Sequence, residues 1–380
     1  MSEIRIYKPP TEDNPSFEIC GITDFVSDDT YSKYASKIGE FEIQIPFNEI
    51  KDINIEENYL ILINKEFWGI IEDIEMVADG YGHNVYMRGE CLKSLLKRRL
   101  TLPPITNTSE LAGYETLAGD SETIMKTLVN NNVVNPANSD RKIFNLIIAE
   151  NLQRGIAADK YMTRFENLAD VIEKICLDAK LGYDISVDLE NNTFVFDVFQ
   201  GKNKIVGQSD YPPIAFSIEN DSIKSLNYVR NNNNLKNVFY STKSGDEYEN
   251  EALTMTYYRD ENDIPKGIER NEVHLNISAE HPEEGKEYEE LKRLTLIEAK
   301  NYEKTETIEV DVVNNYYKFN VDYRLTDVVT IYDKKFNIQS NMTVNGITKS
   351  HTSNSIEEKV LFGDNEISIL AKIKRDINNR

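Results

Sequence analysis

An apolar strand, a polar turn and an aromatic exit occur twice in this chain, near opposite ends. The first is Leu62-Ile63-Asn64-Lys65-Glu66-Phe67-Trp68-Gly69-Ile70, and the second is Ile331-Tyr332-Asp333-Lys334-Lys335-Phe336-Asn337-Ile338. Two apolar runs around a tight polar turn read as a β-hairpin. The return of one hairpin late in the chain points to two related β-domains. A single pair is weaker evidence than a ladder of repeats, and chance is the competing account. Duplicated β-domains with no catalytic motif between them favour an assembly part over an enzyme.

The length of 380 residues accommodates two or three domains with cores of their own. Hydrophobic residues at 40% and charged residues at 28% are ordinary for a folded soluble chain. No apolar run approaches the roughly 18–20 residues of a membrane helix, and the longest clear one, Tyr59 to Ile63, is strand-sized. Met1-Ser2-Glu3-Ile4-Arg5 lacks the basic and apolar pattern of a secretion signal. The expectation is a soluble protein made in the cytosol, with no membrane partner. A net charge of −22 opposes a surface that grips nucleic acid, because phosphate contacts need Lys and Arg. It is compatible with a wall past which DNA moves without sticking. The plain alternative is an acidic surface that aids solubility.

Alternation of apolar and polar residues predicts strands at Phe17–Ile22 and Phe41–Ile45. Ser27 to Glu40 between them reads as a long loop holding a short helix. Further strands are expected at Tyr59–Asn64, Phe67–Val77 and His83–Arg88, with Gly80-Tyr81-Gly82 as a turn. Cys91, Leu92, Leu95 and Leu96 make a short helical stripe. Pro103-Pro104 then marks a boundary. Beyond it come a helix capped near Ser121, a second over Arg141 to Asn151, and a third carrying Leu168, Val171, Ile172, Ile175 and Ala179. Asn167 caps that third helix and Gly182 closes it. A hairpin around Glu190-Asn191-Asn192 follows. β character resumes at Ile214. Lys243 to Glu287 is an acidic excursion poor in apolar periodicity, followed by a helix over Glu287–Lys304. The last strands are Thr307–Val313, Asp327–Tyr332, Phe336–Gln339 and Met342–Ile347. The expected fold is α+β and mainly β. It has a first β-domain at 1–100, an inserted α+β domain at 101–215 and a second β-domain at 216–368. That last domain holds an excursion near 243–304, and an exposed tail follows at 369–380.

A search for chemistry finds little. His83, His274, His281 and His351 show no metal-ligand spacing. Gly80-Tyr81-Gly82 lacks the third glycine and following helix of a dinucleotide site. There is no P-loop and no nucleophile elbow. Cys20, Cys91 and Cys176 are odd in number, far apart and set among apolar residues, as buried free thiols are. No cofactor, metal or catalytic residue is expected. The 65 acidic residues still leave room for a carboxylate-dependent cell-wall hydrolase, which needs only two. The clusters Glu283-Glu284 and Glu287-Glu289-Glu290 instead read as a solvated helix face. A third reading is a glycan-binding role for 101–215.

The order of several segments carries a resemblance. They are Gly39-Glu40-Phe41-Glu42-Ile43-Gln44-Ile45-Pro46, then Phe67-Trp68-Gly69-Ile70-Ile71-Glu72-Asp73-Ile74, then Val85 to Arg99, then Glu122 to Asn132 with Asn135-Pro136 and Arg141. Asn237-Val238-Phe239 and Tyr323-Arg324-Leu325-Thr326-Asp327-Val328-Val329 follow. In this order they resemble the tail-hub or baseplate-hub proteins of siphophages and prophages of Gram-positive bacteria. The resemblance implies two tube-like β-barrels per chain, and a homotrimeric ring that mimics the six-fold tail tube. It implies three kinds of partner: further copies of the chain, the tube or distal tail protein, and a tip, spike or fibre protein. DNA is then only passing cargo, and the place of action is the virion tail or a tail-like particle assembled in the bacterial cytoplasm. Relatives that continue into fibres or hydrolases imply that such activities here lie on other chains.

Two sets of residues follow from this reading. In tube-like barrels the loop between the second and third strands meets the neighbouring ring, so Tyr31, Tyr34 and Ile38 are interface candidates. A channel for DNA favours acidic walls, because a cationic lumen would bind phosphate. Strand alternation makes Glu42 and Gln44 lumen candidates, and likewise Glu309 and Asp311 opposite Ile308, Val310 and Val312.

Overall fold

The structure is a computed structural model that describes residues 2–80, 82–103, 113–243, 254–260, 262–277, 287–299, 302–313, 316–352 and 355–363. The expectations for Tyr81, Pro104, His281, Glu283-Glu284 and the tail 369–380 fall outside them. The fold is mainly β with antiparallel sheets. The chain divides into two compact units, one built mainly from Met1–Leu226 and Glu309–Phe362 and the other from Asn227–Ile308.

The first unit opens with β1 (Ile4–Lys8), β2 (Glu18–Thr23), β3 (Asp28–Tyr34), β4 (Glu40–Pro46), the one-turn helix α1 (Phe47–Ile50), β5 (Leu60–Ile63), β6 (Phe67–Asp79), β7 (Gly82–Cys91) and the one-turn helix α2 (Ser94–Lys97). It continues with β8 (Glu115–Asp120), α3 (Ser121–Val129), β9 (Leu146–Ile148), β10 (Ala157–Thr163), α4 (Leu168–Ala179), β11 (Gly182–Asp188), β12 (Thr193–Phe199), β13 (Ala215–Phe216) and β14 (Ile223–Asn231). The second unit holds β15 (Val238–Lys243), β16 (Thr254–Tyr258), β17 (Glu272–Ile277) and α5 (Glu287–Ala299). β18 (Thr305–Val312), β19 (Val328–Asp333), β20 (Ile338–Thr352) and β21 (Ile356–Phe362) complete the chain.

One sheet dominates, in the order β14-β18-β21-β20-β3-β4-β7-β6-β5-β1-β2. Among the described residues no ring of strands closes on itself. β20 joins early and late sequence. Its first half pairs with β19, and Gly346–Thr352 pairs with Tyr34–Asp28 of β3. Ser27 to Glu40 is therefore not a long loop with a helix. Its first half is a strand between β4 and β20, which leaves only Ala35–Gly39 as connection.

β5 shows why an unbroken apolar run becomes a strand here. Leu60 and Leu62 face one core with Tyr7, Ile70, Leu168 and Phe196, while Ile61 and Ile63 face another with Ile4, Phe41 and Phe67. A strand covered on both sides has no polar face to alternate with. The first of these cores also holds α3, α4 and the β11–β12 hairpin. Each buried Leu or Ile side chain contributes roughly 1.5–3 kcal/mol to that packing.

Asp120 accepts from Thr123 N at 2.9 Å to cap α3, and Asn167 accepts from Ala169 N at 3.0 Å to cap α4, as expected for both helices. α4 ends on Lys180, which takes the left-handed conformation itself, so Gly182 opens β11 instead of closing the helix. The helix expected over Arg141 to Asn151 is absent. A single 3-10 turn at Ser139–Arg141 gives way to β9, which pairs in parallel with β12. In the second unit β16 and β17 flank β15, so part of the acidic excursion is strand, and α5 packs Leu291 against Phe239 and Met255.

Both echoed hairpins exist, in different registers. In the first, Ile63 pairs with Phe67 around Asn64-Lys65-Glu66, and Phe67 is fully buried. In the second, Asp333 pairs with Ile338, so Phe336 lies inside the turn, 71% exposed.

Glu122 gives a pH test of this fold. Its side chain is fully buried on α3 and accepts from Arg154 Nε (2.9 Å), Arg154 Nη2 (3.1 Å) and the backbone N–H groups of Leu152 and Arg154. Lys126 Nζ lies 2.8 Å away. Burial pushes the carboxyl up, but these bonds outweigh it and hold its pKa at about 2. The stability from this ionised group is complete above the ordinary value of 4.5 and is lost as pH falls through about 2. Glu122→Gln removes the carboxylate that Arg154 shares with the buried Lys126, while Asp197 stays 3.1 Å from Lys126 Nζ, so denaturant titration at pH 7 should show a loss of about 3 kcal/mol. The difference between variant and parent should shrink as the pH is taken below 4.5.

Candidate functional site

Early and late strands meet in a polar network at the β3–β20 seam. Tyr31, on β3, stacks on Phe67 with ring centroids 4.9 Å apart. Its hydroxyl donates to Glu66 Oε2 at 2.9 Å, and Lys349 Nζ of β20 reaches the same oxygen at 2.7 Å. Lys33 Nζ donates to the Glu66 carbonyl. Burial opposes the charge on Glu66, yet the hydrogen bond and charge of Lys349 prevail and lower its pKa. At the far end of the seam Asp29 is buried and sits 2.8 Å from His351 Nδ1, opposite it in register.

The interface candidates lie around this seam. Tyr31 is buried within its own chain, 1% exposed. Tyr34 is half-buried with its ring over Gly346, where a Cβ would come within 2.6 Å of Tyr34 Cδ1. Only glycine permits that approach. Ile38 is half-buried in the β3–β4 connection and touches both cores. Lys93, 3% exposed, sets the shape of that connection by donating to the carbonyls of Tyr34 (2.6 Å), Ala35 (3.1 Å) and Lys37 (3.3 Å).

The lumen candidates fall in two places. Phe41, Ile43 and Ile45 are buried while Glu42 and Gln44 are half-exposed, as the alternation predicts. Glu42 opposes Arg88 of β7, which opposes Asp73 of β6. Arg88 bonds Glu42 at 3.0 Å, Asp73 at 2.9 Å and Glu75 at 2.8 Å. Three carboxylates thus share one guanidinium across three strands, and the patch stays net acidic. Burial works against the Arg88 charge, but the bonds to Glu75, Asp73 and Glu42 raise its pKa overall. On β18, Ile308, Val310 and Val312 are buried and Glu309 and Asp311 half-exposed. Asp311 accepts from Ser225 Oγ and lies 3.9 Å from Lys359 Nζ. β21, β20 and β3 separate β18 from β4, so the sheet does not bring the two pairs together. Sequence reading missed Arg88, Asp73, Glu75 and the seam pairs because each requires a strand register.

Among the described residues no group of His, Cys, Asp and Glu could hold a metal. Cys91 and Cys176 are buried free thiols as expected, whereas Cys20 is only half-buried on the edge strand β2.

Residues 3–364 match the family model described as Siphovirus ReqiPepy6 Gp37-like protein. This chain belongs to that family. Its fold is that of prophage tail proteins. The 43 kDa tail protein of prophage MuSo2 from Shewanella oneidensis is similar with a TM-score of 0.55 at 10% identity, covering 95% of this chain and 98% of that one. The tail protein from Neisseria meningitidis MC58 gives 0.52 at 11% identity, covering 96% and 97%. Prophage tail protein gp18 from Listeria monocytogenes EGD-e gives 0.52 at 11% identity, covering 99% and 98%. No curated protein matches the sequence.

Arg88→Ala should expose the repulsion it offsets. Its partners are half-exposed or more, so the loss of stability should be about 1 kcal/mol at low salt. Urea titration at high salt should shrink the difference.

Proposed function

We propose that this protein is the non-enzymatic hub of a phage tail or tail-like particle, a homotrimeric ring joining tail tube to tip, spike or fibre. The observation that carries this reading is the family match over residues 3–364, supported by whole-length likeness to prophage tail proteins. In this reading 1–100 and 216–368 each contribute a tube-like half and 101–215 decorates the ring outside. Closure of each tube wall then needs neighbouring copies, in keeping with the lack of a closed ring of strands among the described residues. An image reconstruction of assembled tails should place three copies around the tube axis. A position off the axis, or a ring not based on three, overturns the proposal. Zymography on purified cell wall separates the hydrolase alternative: clearing abolished by one Asp or Glu substitution would favour the enzyme.

Glu42, Gln44, Glu309 and Asp311 are the proposed lumen residues. Such a wall repels DNA within a Debye length of about 8 Å at physiological salt. A channel wall of net positive charge in the reconstruction refutes the assignment.

Docking to the neighbouring ring is assigned to the β3–β4 connection through Tyr34 and Ile38. Tyr31, named with them from sequence, supports the connection from within the core. Tyr34→Ala with Ile38→Ala should fold yet fail to enter tails, since truncated hot spots cost about 2 kcal/mol or more. Normal incorporation of that variant refutes the docking role.

A further inference from the structure

The turn between β19 and β20 projects an aromatic ring next to two lysines. Phe336 is 71% exposed, and Lys334, Lys335 and Asn337 beside it are exposed as well. The turn is held in one shape. Phe336 N donates to Asp333 Oδ1 at 2.8 Å, and Lys334 N donates to Glu219 Oε1 at 2.8 Å. A ring fixed in advance loses little freedom on docking. Two adjacent exposed lysines also stand out on a chain whose net charge is −22.

A second exposed apolar side chain lies in the opposite charge setting. β5 pairs with β6 only from Phe67 to Ile70, so among the described residues no strand covers the outer edge of β6 beyond Ile71. That edge carries Met76, 71% exposed, together with Glu72, Asp73 and Glu75. Arg88 is shared by Asp73 and Glu75 and leaves the edge acidic. A partner approaching a strand edge from the side meets side chains of both faces. Methionine adapts its shape to an incoming aromatic ring.

We infer that the Lys334-Lys335-Phe336 turn of one copy docks on the acidic Met76 edge of β6 in the next copy. The two surfaces are oppositely charged, and each would repel its own kind. The contact is therefore head-to-tail, the type that closes into rings. This inference rests on the ring reading and names the contact that forms it.

The test mixes two variants of the full chain, each with one added cysteine, in a Cys20→Ser background that leaves only the buried Cys91 and Cys176. Met76→Cys mixed with Phe336→Cys should give a disulfide-linked dimer under mild oxidation. Phe336→Cys alone should give none. Separately, Phe336→Ser and Met76→Ser should each raise the dissociation constant of the oligomer at least tenfold in sedimentation velocity, with unchanged melting temperature. If the parent chain forms a ring but the mixture does not cross-link, or both serine variants assemble normally, this contact is wrong while the ring stands. The turn would then face a different chain. A parent chain that stays monomeric, both alone and in reconstructed tails, overturns both readings.

Discussion

Everything else in the first unit depends on the pairing of β3 with β20. It brings Asp28–Tyr34 beside Gly346–Thr352, across more than three hundred residues of sequence. Such a contact forms late or slowly, because the intervening loop must close before the ladder rewards it. Its side chains fit that difficulty. Tyr31, Glu66 and Lys349 form one bonded cluster, Asp29 and His351 another, and Thr30 meets Ser350 at 3.0 Å. Polar groups that match only in one register oppose slippage, which an all-apolar seam would tolerate.

β5 imposes the second constraint. Its four residues divide between two cores, so early strands and the α3–α4 layer cannot settle independently. The family match and the likeness to prophage tail proteins span the same whole length.

Much of this was legible in the sequence, and the gaps have physical causes. The hairpins at Asn64 and Asn191 and the helices α3 and α4 were readable because turn residues, caps and apolar spacing agree there. β3 was not readable. Its Asp29 and Ser32 point inward and are buried, so the strand carries polar residues where a pattern expects apolar ones. Their partners come from Asn64, His351 and Glu40, invisible without the fold. β9 failed similarly: three residues between loops carry no period, and only β12 beside them makes them a strand. The acidic alternation of β4 and β18 was readable, but the guanidinium that ties three carboxylates together was not. Arg88 joins Glu42 and Asp73 through two registers at once.

The Lys93 ammonium bears on how this surface can diverge. It holds the β3–β4 connection from beneath, through carbonyl oxygens alone. A carbonyl is supplied by every residue type, so this grip is blind to side-chain identity. Lys37 is the residue of the connection whose side chain can change while the backbone trace stays put, since Ala35, Ser36 and Gly39 are buried and Ile38 packs on both cores. A substitution at Lys37 alters the charge shown at this surface with no cost to the shape that presents it.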